Sequence, residues 1–160
     1  MKSIDSTDQA LLLALQSDAL QTAAELAELV SLSQSPCWRR IRNLEAAGII
    51  EGYHARLSRK HLGFGVTGFV HLQMANHTPE MAAAFEREVV ALPQVLSCYN
   101  LSGHYDYLIE AIAADLESFS TLVRNKIRCL PGVREIATSF SLKEVKQPGS
   151  LPVSEAPATR

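Results

Sequence analysis

Apolar positions near the start of the chain recur at helical spacing. Leu11, Leu12 and Leu15 share one side of a helix that begins at Asp5 or Ser6, with Ser6 and Gln9 at capping-box spacing, and ends near Ser17 to Ala19. Thr22 and Glu25 form a second capping box, and Leu26, Leu29 and Val30 behind it make a short amphipathic helix. Val30 to Leu32 leaves room only for a tight turn. Ser33 or Ser35 caps a third helix, with Pro36 in the first turn, where a missing amide hydrogen costs little. Gly48 stops it. At roughly 100° per residue, Cys37, Ile41 and Leu44 form the buried stripe. Ser35, Arg39 and Arg42 lie opposite, Trp38 on the flank, and Arg40 close to the buried edge. The first helix backs this pair, and Ile49 to Leu57 reads as a small hairpin, the wing of a winged helix.

From Phe64 the period changes. Gly65 to Met74 alternates at period two and reads as a strand. Pro79 opens a helix bearing Met81, Phe85, Val89 and Leu92. Val95 to Leu101 is a second strand, Ser102-Gly103-His104 a tight turn, and Tyr105 to Ala113 a third strand. Leu116 to Leu130 is a long helix with Leu116, Phe119, Leu122, Val123 and Ile127 on one side, stopped by Pro131-Gly132; Val133 to Val145 is the fourth strand. The order βαββαβ is the ferredoxin-like plan, so the chain is α+β: a winged helix-turn-helix followed by a ferredoxin-like domain. The expected boundaries are 1–58 for the first domain, 59–63 for a linker, 64–146 for the second domain and 147–160 for a largely mobile tail, of which Leu151-Pro152-Val153 is placed to join a neighbouring edge. Phe69, His71, Thr138, Phe140 and Leu142 belong either to the helix side of the sheet or to its open side. Whichever set faces outward is more apolar than a soluble monomer leaves bare, which predicts a homodimer joined through the sheets. A two-fold axis then pairs two reading helices, matching a palindromic operator.

Composition adds little until it is localised. Of 160 residues, 47% are apolar and 20% charged, ordinary for a globular protein, and the net charge is −2. Between Ser33 and Leu62, however, Arg39, Arg40, Arg42, Arg56, Arg59 and Lys60 face only Glu45 and Glu51, a local +4, while the chain after 62 is net acidic. A confined basic patch on a near-neutral chain suits a binder of double-stranded DNA whose other half does something else. A solvated basic helix face is the plainer reading, but a capped helix, tight turn, capped basic helix and glycine in that order favour DNA. The candidate contacts are Ser33, Gln34, Ser35, Trp38, Arg39 and Arg42. Arg40 meets an intramolecular carboxylate or a phosphate. Arg56, Arg59 and Lys60 either hold backbone phosphate or form a solvated linker.

The cysteines Cys37, Cys98 and Cys129 are odd in number and widely spaced, without a C-x-x-C or Cys/His cluster, so no structural metal is expected. No nucleophile arrangement, phosphate loop or paired carboxylate motif supports catalysis, and neither enzyme activity nor a cofactor is expected. Without a signal pattern or a span-length apolar run, the expected location is the cytoplasm, on the nucleoid, with no membrane partner.

With Asp5 and Asp8, Glu25-Leu26-Ala27, Leu32-Ser33-x-Ser35-Pro36-Cys37-x-x-Arg40-Ile41-x-x-Leu44-Glu45-x-x-Gly48-Ile49-Ile50-x-Gly52-Tyr53, Gly103-x-x-Asp106-Tyr107, Leu130-Pro131-Gly132-Val133 and Thr138 leading into Glu144-Val145-Lys146, the chain resembles the Lrp/AsnC family of leucine-responsive and feast/famine regulators from Ile4 to Lys146. The resemblance implies dimers that assemble into tetramers, octamers or hexadecamers, with an amino-acid effector held between dimers. Carried over by position, the effector site is Gly103, His104, Tyr105, Asp106 and Tyr107, with Thr138, Ser139 and Phe140 contributed by a neighbouring chain. Backbone groups around Gly103 would meet a carboxylate, and Asp106 an ammonium. The alternative role for Asp106 is an acceptor that stiffens the turn, and Tyr105 and Tyr107 suit packing better than ligand contact. Ser-Pro-Cys-Trp and Thr138-Ser139-Phe140 resemble the branch answering to leucine, methionine or cysteine. His104 departs from the acidic or small polar residue expected there, which leaves effector identity open. Two rival classes remain: an enzyme like the sirohaem decarboxylases, which share the fold and would use His71 and His104, and an effector-binding assembly without DNA function. The intact recognition helix argues against both.

Overall fold

Asp5, not Ser6, caps the first helix. Its carboxylate accepts the Asp8 amide at 2.8 Å and helix α1 runs Ser6–Ser17, so Ser6 lies inside the helix and the Ser6–Gln9 capping box does not form. The computed structural model describes residues 4–153 and divides into two units, one of residues up to Arg56 with those from Lys146 on, the other Leu57–Val145. In the first unit, α2 (Ala23–Leu29) carries the expected Thr22–Glu25 capping box. Ser31 turns the chain at φ 54°. Helix α3 (Gln34–Ala46) starts from Ser33, whose backbone takes the cap conformation but whose hydroxyl makes no capping bond. Gly48, at φ +68°, closes α3 in the left-handed region that a Cβ disfavours. Leu11, Leu26, Ala27, Cys37 and Ile41 form the core, with Leu15, Val30, Leu32 and Ile50 against it.

Two expectations for this unit change. Residues 51–58 carry no strand, so the wing hairpin does not form within the chain; Ile50 anchors the segment to the core, but beyond it the side chains are exposed and no second arm faces the first. The tail, meanwhile, returns to α1. Gln16 Nε2 donates to the Leu151 carbonyl at 3.2 Å and Gln16 Oε1 accepts the Leu151 amide at 2.6 Å. Residues 154–160 lie outside the described residues.

The second unit is an antiparallel sheet of β1 (Val66–Met74), β2 (Val95–Asn100), β3 (Tyr107–Ala113) and β4 (Val133–Phe140) in the order β2-β3-β1-β4, with α4 (Pro79–Val90) and α5 (Leu116–Asn125) packed on it. Val70, Leu72 and Met74 meet Phe85, Val89, Phe119, Leu122 and Ile127 in its core. Cross-strand partners share a face. Thr138 opposite Val70 and Phe140 opposite Gly68 therefore point to the helices, and the Phe140 ring meets Phe119 edge-on at 5.2 Å. Gly68 makes that contact possible, because a Cβ there would collide with the Phe119 ring. Phe69 and His71 point away, beside Glu110 and Leu108 of β3 and Ser139 and Ala137 of β4. The strands are shorter than expected: β3 begins at Tyr107 because Tyr105 still belongs to the turn, and β4 ends at Phe140, opposite Gly68, with one further bond from the Ser141 amide to the Thr67 carbonyl at 2.9 Å. Helix α5 stops at Asn125 and a 3-10 turn, Ile127–Cys129, completes the segment; Leu116 at its start is exposed rather than packed.

Candidate DNA interface and ligand cleft

Helix α3 sorts its arginines by face. Arg40, at the buried edge, donates from Nη1 to Asp5 Oδ2 at 2.7 Å and to Asp8 Oδ1 at 2.8 Å, which decides for carboxylates over phosphate. The capping bond to the Asp8 amide, and then Arg40, hold the Asp5 carboxyl below its ordinary range. Arg39 is exposed and has no ion-pair partner among the described residues. Arg42 is exposed but engaged: Nη1 donates to Glu45 Oε2 at 3.0 Å, and the guanidinium lies 4.7 Å over the Trp38 ring. Ser33, Gln34 and Ser35 are exposed at the start of the helix. Burial of Cys37 beneath this surface raises its thiol pKa.

The basic residues after α3 separate. Arg56 and Lys60 are exposed. Arg59 instead ties the segment before β1 to the sheet, at 3.0 Å from Glu110 Oε1 and 3.3 Å from Thr67 Oγ1, so it is committed to structure rather than free for phosphate.

In the second unit, the Leu101–Asp106 turn is closed by the Leu101 amide donating to the Asp106 carbonyl at 2.8 Å, and the Asp106 amide donates to the Leu72 carbonyl at 2.8 Å. Asp106 Oδ2 accepts the Met74 amide at 2.7 Å, so the stiffening role is real; Oδ1 faces His77 Nδ1 at 3.7 Å. Gln73, only 9% exposed, donates to the His104 carbonyl at 2.8 Å and accepts from Arg134 Nη2 at 2.8 Å. Tyr105 packs between His71 and His104, with ring centroids 5.0 and 4.8 Å away. Tyr107 is a core residue against Phe85 at 4.3 Å, its hydroxyl donating to Glu86 at 3.2 Å; burial, then Glu86, raises its pKa.

Beside Asp106 opens a cleft of about 220 Å³ walled by Met74, Pro79, Ala82 and Tyr107, with Asn76, His77, Thr78 and Asn100 at its polar edge. The loop residues Asn76 and His77 were missed by sequence reasoning, although Thr78-Pro79, a helix cap, signals that the preceding residues lie at a loop end. Thr138, Ser139 and Phe140 are not brought to this cleft within one chain: they pair with the first half of β1, while Asp106 binds its last residues.

The two units match two family descriptions, Winged helix-turn-helix DNA-binding over residues 4–51 and Lrp/AsnC ligand binding domain over 67–151. The chain belongs to the Lrp/AsnC family. It is a DNA-binding transcriptional regulator whose second domain binds a ligand. It is 33% identical over 150 residues to the DNA-binding transcriptional activator DecR of Escherichia coli, covering 94% of this chain and 99% of that one. To the Bkd operon transcriptional regulator of Pseudomonas aeruginosa it is 36% identical over 145 residues, covering 91% and 95%. A crystal structure of a transcriptional regulator from Neisseria meningitidis in complex with L-methionine superposes with a TM-score of 0.88 at 38% identity, covering 94% of this chain and 97% of that one. No helix of this Lrp/AsnC chain is long and apolar enough, among the described residues, to cross a membrane.

Proposed function

We propose that this Lrp/AsnC protein acts as a homodimer that presents α3 of each chain to a palindromic operator, and that an amino acid bound beside Asp106 alters its hold on DNA. Arg39 and Arg42, exposed opposite the Cys37–Ile41–Leu44 stripe, support the reading face; Ser33, Gln34, Ser35 and Trp38 flank them, and Arg56 and Lys60 contribute phosphate contacts. The outward sheet face with Phe69, Leu108 and Tyr99, the last 57% exposed, supports pairing through the sheets. Assembly to tetramers, octamers or hexadecamers then sets neighbouring chains, with Thr138, Ser139 and Phe140, against the Gly103–Tyr107 turn.

The observation that carries the effector reading is a carboxylate at the mouth of an apolar-walled cleft. Asp106 keeps Oδ2 on the Met74 amide and has Oδ1 to offer an ammonium. Met74, Ala82 and Tyr107 present an apolar wall that suits a compact apolar side chain, and leucine, methionine and cysteine are the candidates. Titration of the purified protein with the twenty amino acids, followed by thermal shift, tests this. A ligand at 100 times its Kd adds about 2.7 kcal/mol of stability. The expected result is stabilisation by one or a few apolar amino acids that Asp106→Asn abolishes; asparagine still accepts the Met74 amide, so the fold is kept. The same shift in Asp106→Asn would remove Asp106 from the site.

A further inference from the structure

We propose that Glu45, braced by Tyr53, is the positioning residue that aims the Arg42 guanidinium at a base edge; this rests on α3 being the DNA-contacting helix. Trp38, Arg42 and Glu45 stand at i, i+4 and i+7, so they form one stripe beside the buried Cys37, Ile41 and Leu44. Arg42 is held twice in that stripe, over the Trp38 indole at 4.7 Å and by the Glu45 carboxylate at 3.0 Å. Glu45 is itself fixed: while Oε2 accepts from Arg42, Oε1 accepts the Tyr53 hydroxyl at 3.1 Å. The brace thus reaches from the segment that follows α3 back onto its outer face.

The geometry leaves Arg42 competent to read. Only Nη1 is engaged with Glu45; the Nε–Nη2 edge has no hydrogen-bond partner among the described residues. That edge presents two parallel N–H donors, the fork that meets the paired O6 and N7 acceptors of guanine in the major groove. A free arginine arm loses rotamer freedom on docking, whereas one already clamped between indole and carboxylate has surrendered most of it. A carboxylate on a reading face also repels phosphate, so it weakens binding to DNA of any sequence. Glu45 therefore trades general attraction for a fixed Arg42, and its effect on specific and random DNA has opposite sign. That split separates positioning from ordinary electrostatics.

The test uses full-length protein and the duplex that wild type enriches from a randomised pool, with a random duplex of the same length as reference. Glu45→Gln should weaken binding to the enriched duplex about tenfold, the scale of one well-placed bidentate contact, while binding to the random duplex is unchanged or tighter. Tyr53→Phe, which removes only the hydroxyl, should give a smaller loss of the same kind. Glu51→Gln, an equal charge change at an exposed site, should tighten both slightly. Trp38 is the sole tryptophan, so its fluorescence reports the clamp directly: acrylamide should quench it more readily in Glu45→Gln, as in Arg42→Ala. Tighter binding of Glu45→Gln to both duplexes, equal weakening on both with a lowered Tm, or unaltered quenching would overturn the positioning role. Failure of wild type to enrich any sequence would overturn the DNA reading itself, and this inference with it.

Discussion

Arg40 and Asp8 join helix α3 to helix α1 through a 2.8 Å ion pair in which the aspartate is nearly sealed from solvent, at 1% exposed. Asp5 takes the same guanidinium nitrogen from the outer side. The pair sets α1 behind α3, so it bears on the pose of α3. Asp8→Ala leaves Arg40 without its inner partner against an apolar core, and a loss of about 2 kcal/mol is expected, below the usual range for a fully buried pair because Arg40 is partly exposed. Urea denaturation followed by Trp38 fluorescence measures it; a variant as stable as wild type would make the pair incidental.

Arg39 differs from both neighbours in having no intramolecular partner among the described residues. Its replacement should therefore leave folding untouched. Arg39→Ala is expected to weaken specific binding by about 1–3 kcal/mol if it reads a base. A competition assay against random DNA decides the matter. Equal weakening on random DNA assigns Arg39 to a phosphate, and a fall in Tm would show an unrecognised structural role.

Gly68 lets two aromatic rings close over β1. A methyl group there meets the Phe119 ring, which is itself buried, and the ring cannot retreat without disturbing Phe140. Gly68→Ala should cost about 1–3 kcal/mol by overpacking. Differential scanning calorimetry should place the loss in the transition of the second unit. A combined Gly68→Ala, Phe119→Leu variant recovers part of it if the collision is the cause.

Acid stability follows from three capping carboxylates. Asp5, Glu25 and Asp115 have lowered pKa values, in each case first through a backbone amide they accept: Asp8, Thr22 and Ser118 respectively. A carboxyl whose folded pKa lies below its unfolded one contributes stability that is fully present above the unfolded value. That stability is lost as pH falls through the folded value. The urea midpoint should therefore hold level on this account from neutrality to about pH 5 and decline below about pH 4. Asp115→Ala should lower the plateau and flatten that decline. A decline as steep as in wild type would mean the Asp115 cap is not the titrating contribution.

Much of this molecule was legible along the chain because local rules suffice for it. The Thr22–Glu25 capping box, the buried stripe of α3, the glycine stop and the βαββαβ order depend largely on local pattern, and all emerge in the structure, whereas the Ser6–Gln9 box and a Ser33 hydroxyl cap do not. Arg40 was readable only as far as its face: the angle around α3 put it at the buried edge, but the choice between carboxylate and phosphate needed α1 to be in place. The candidate ligand site was half legible. Asp106 and its turn came with the family resemblance, whereas Asn76 and His77 reach the cleft through a loop some thirty residues earlier in the chain, which no local pattern links to Asp106.

What the sequence by itself determined is the helices and the four sheet strands, their order and the basic outer face of α3, since periodicity and capping act over one or two turns. Tertiary structure alone decided which face Phe69 and Phe140 take, that residues 51–58 have no strand to pair with, and that Arg59 goes to Glu110 and Leu151 to Gln16. These depend on strand register and on contacts between distant segments. A shift of one residue in register turns every side chain to the other face, and nothing in a local pattern forbids it.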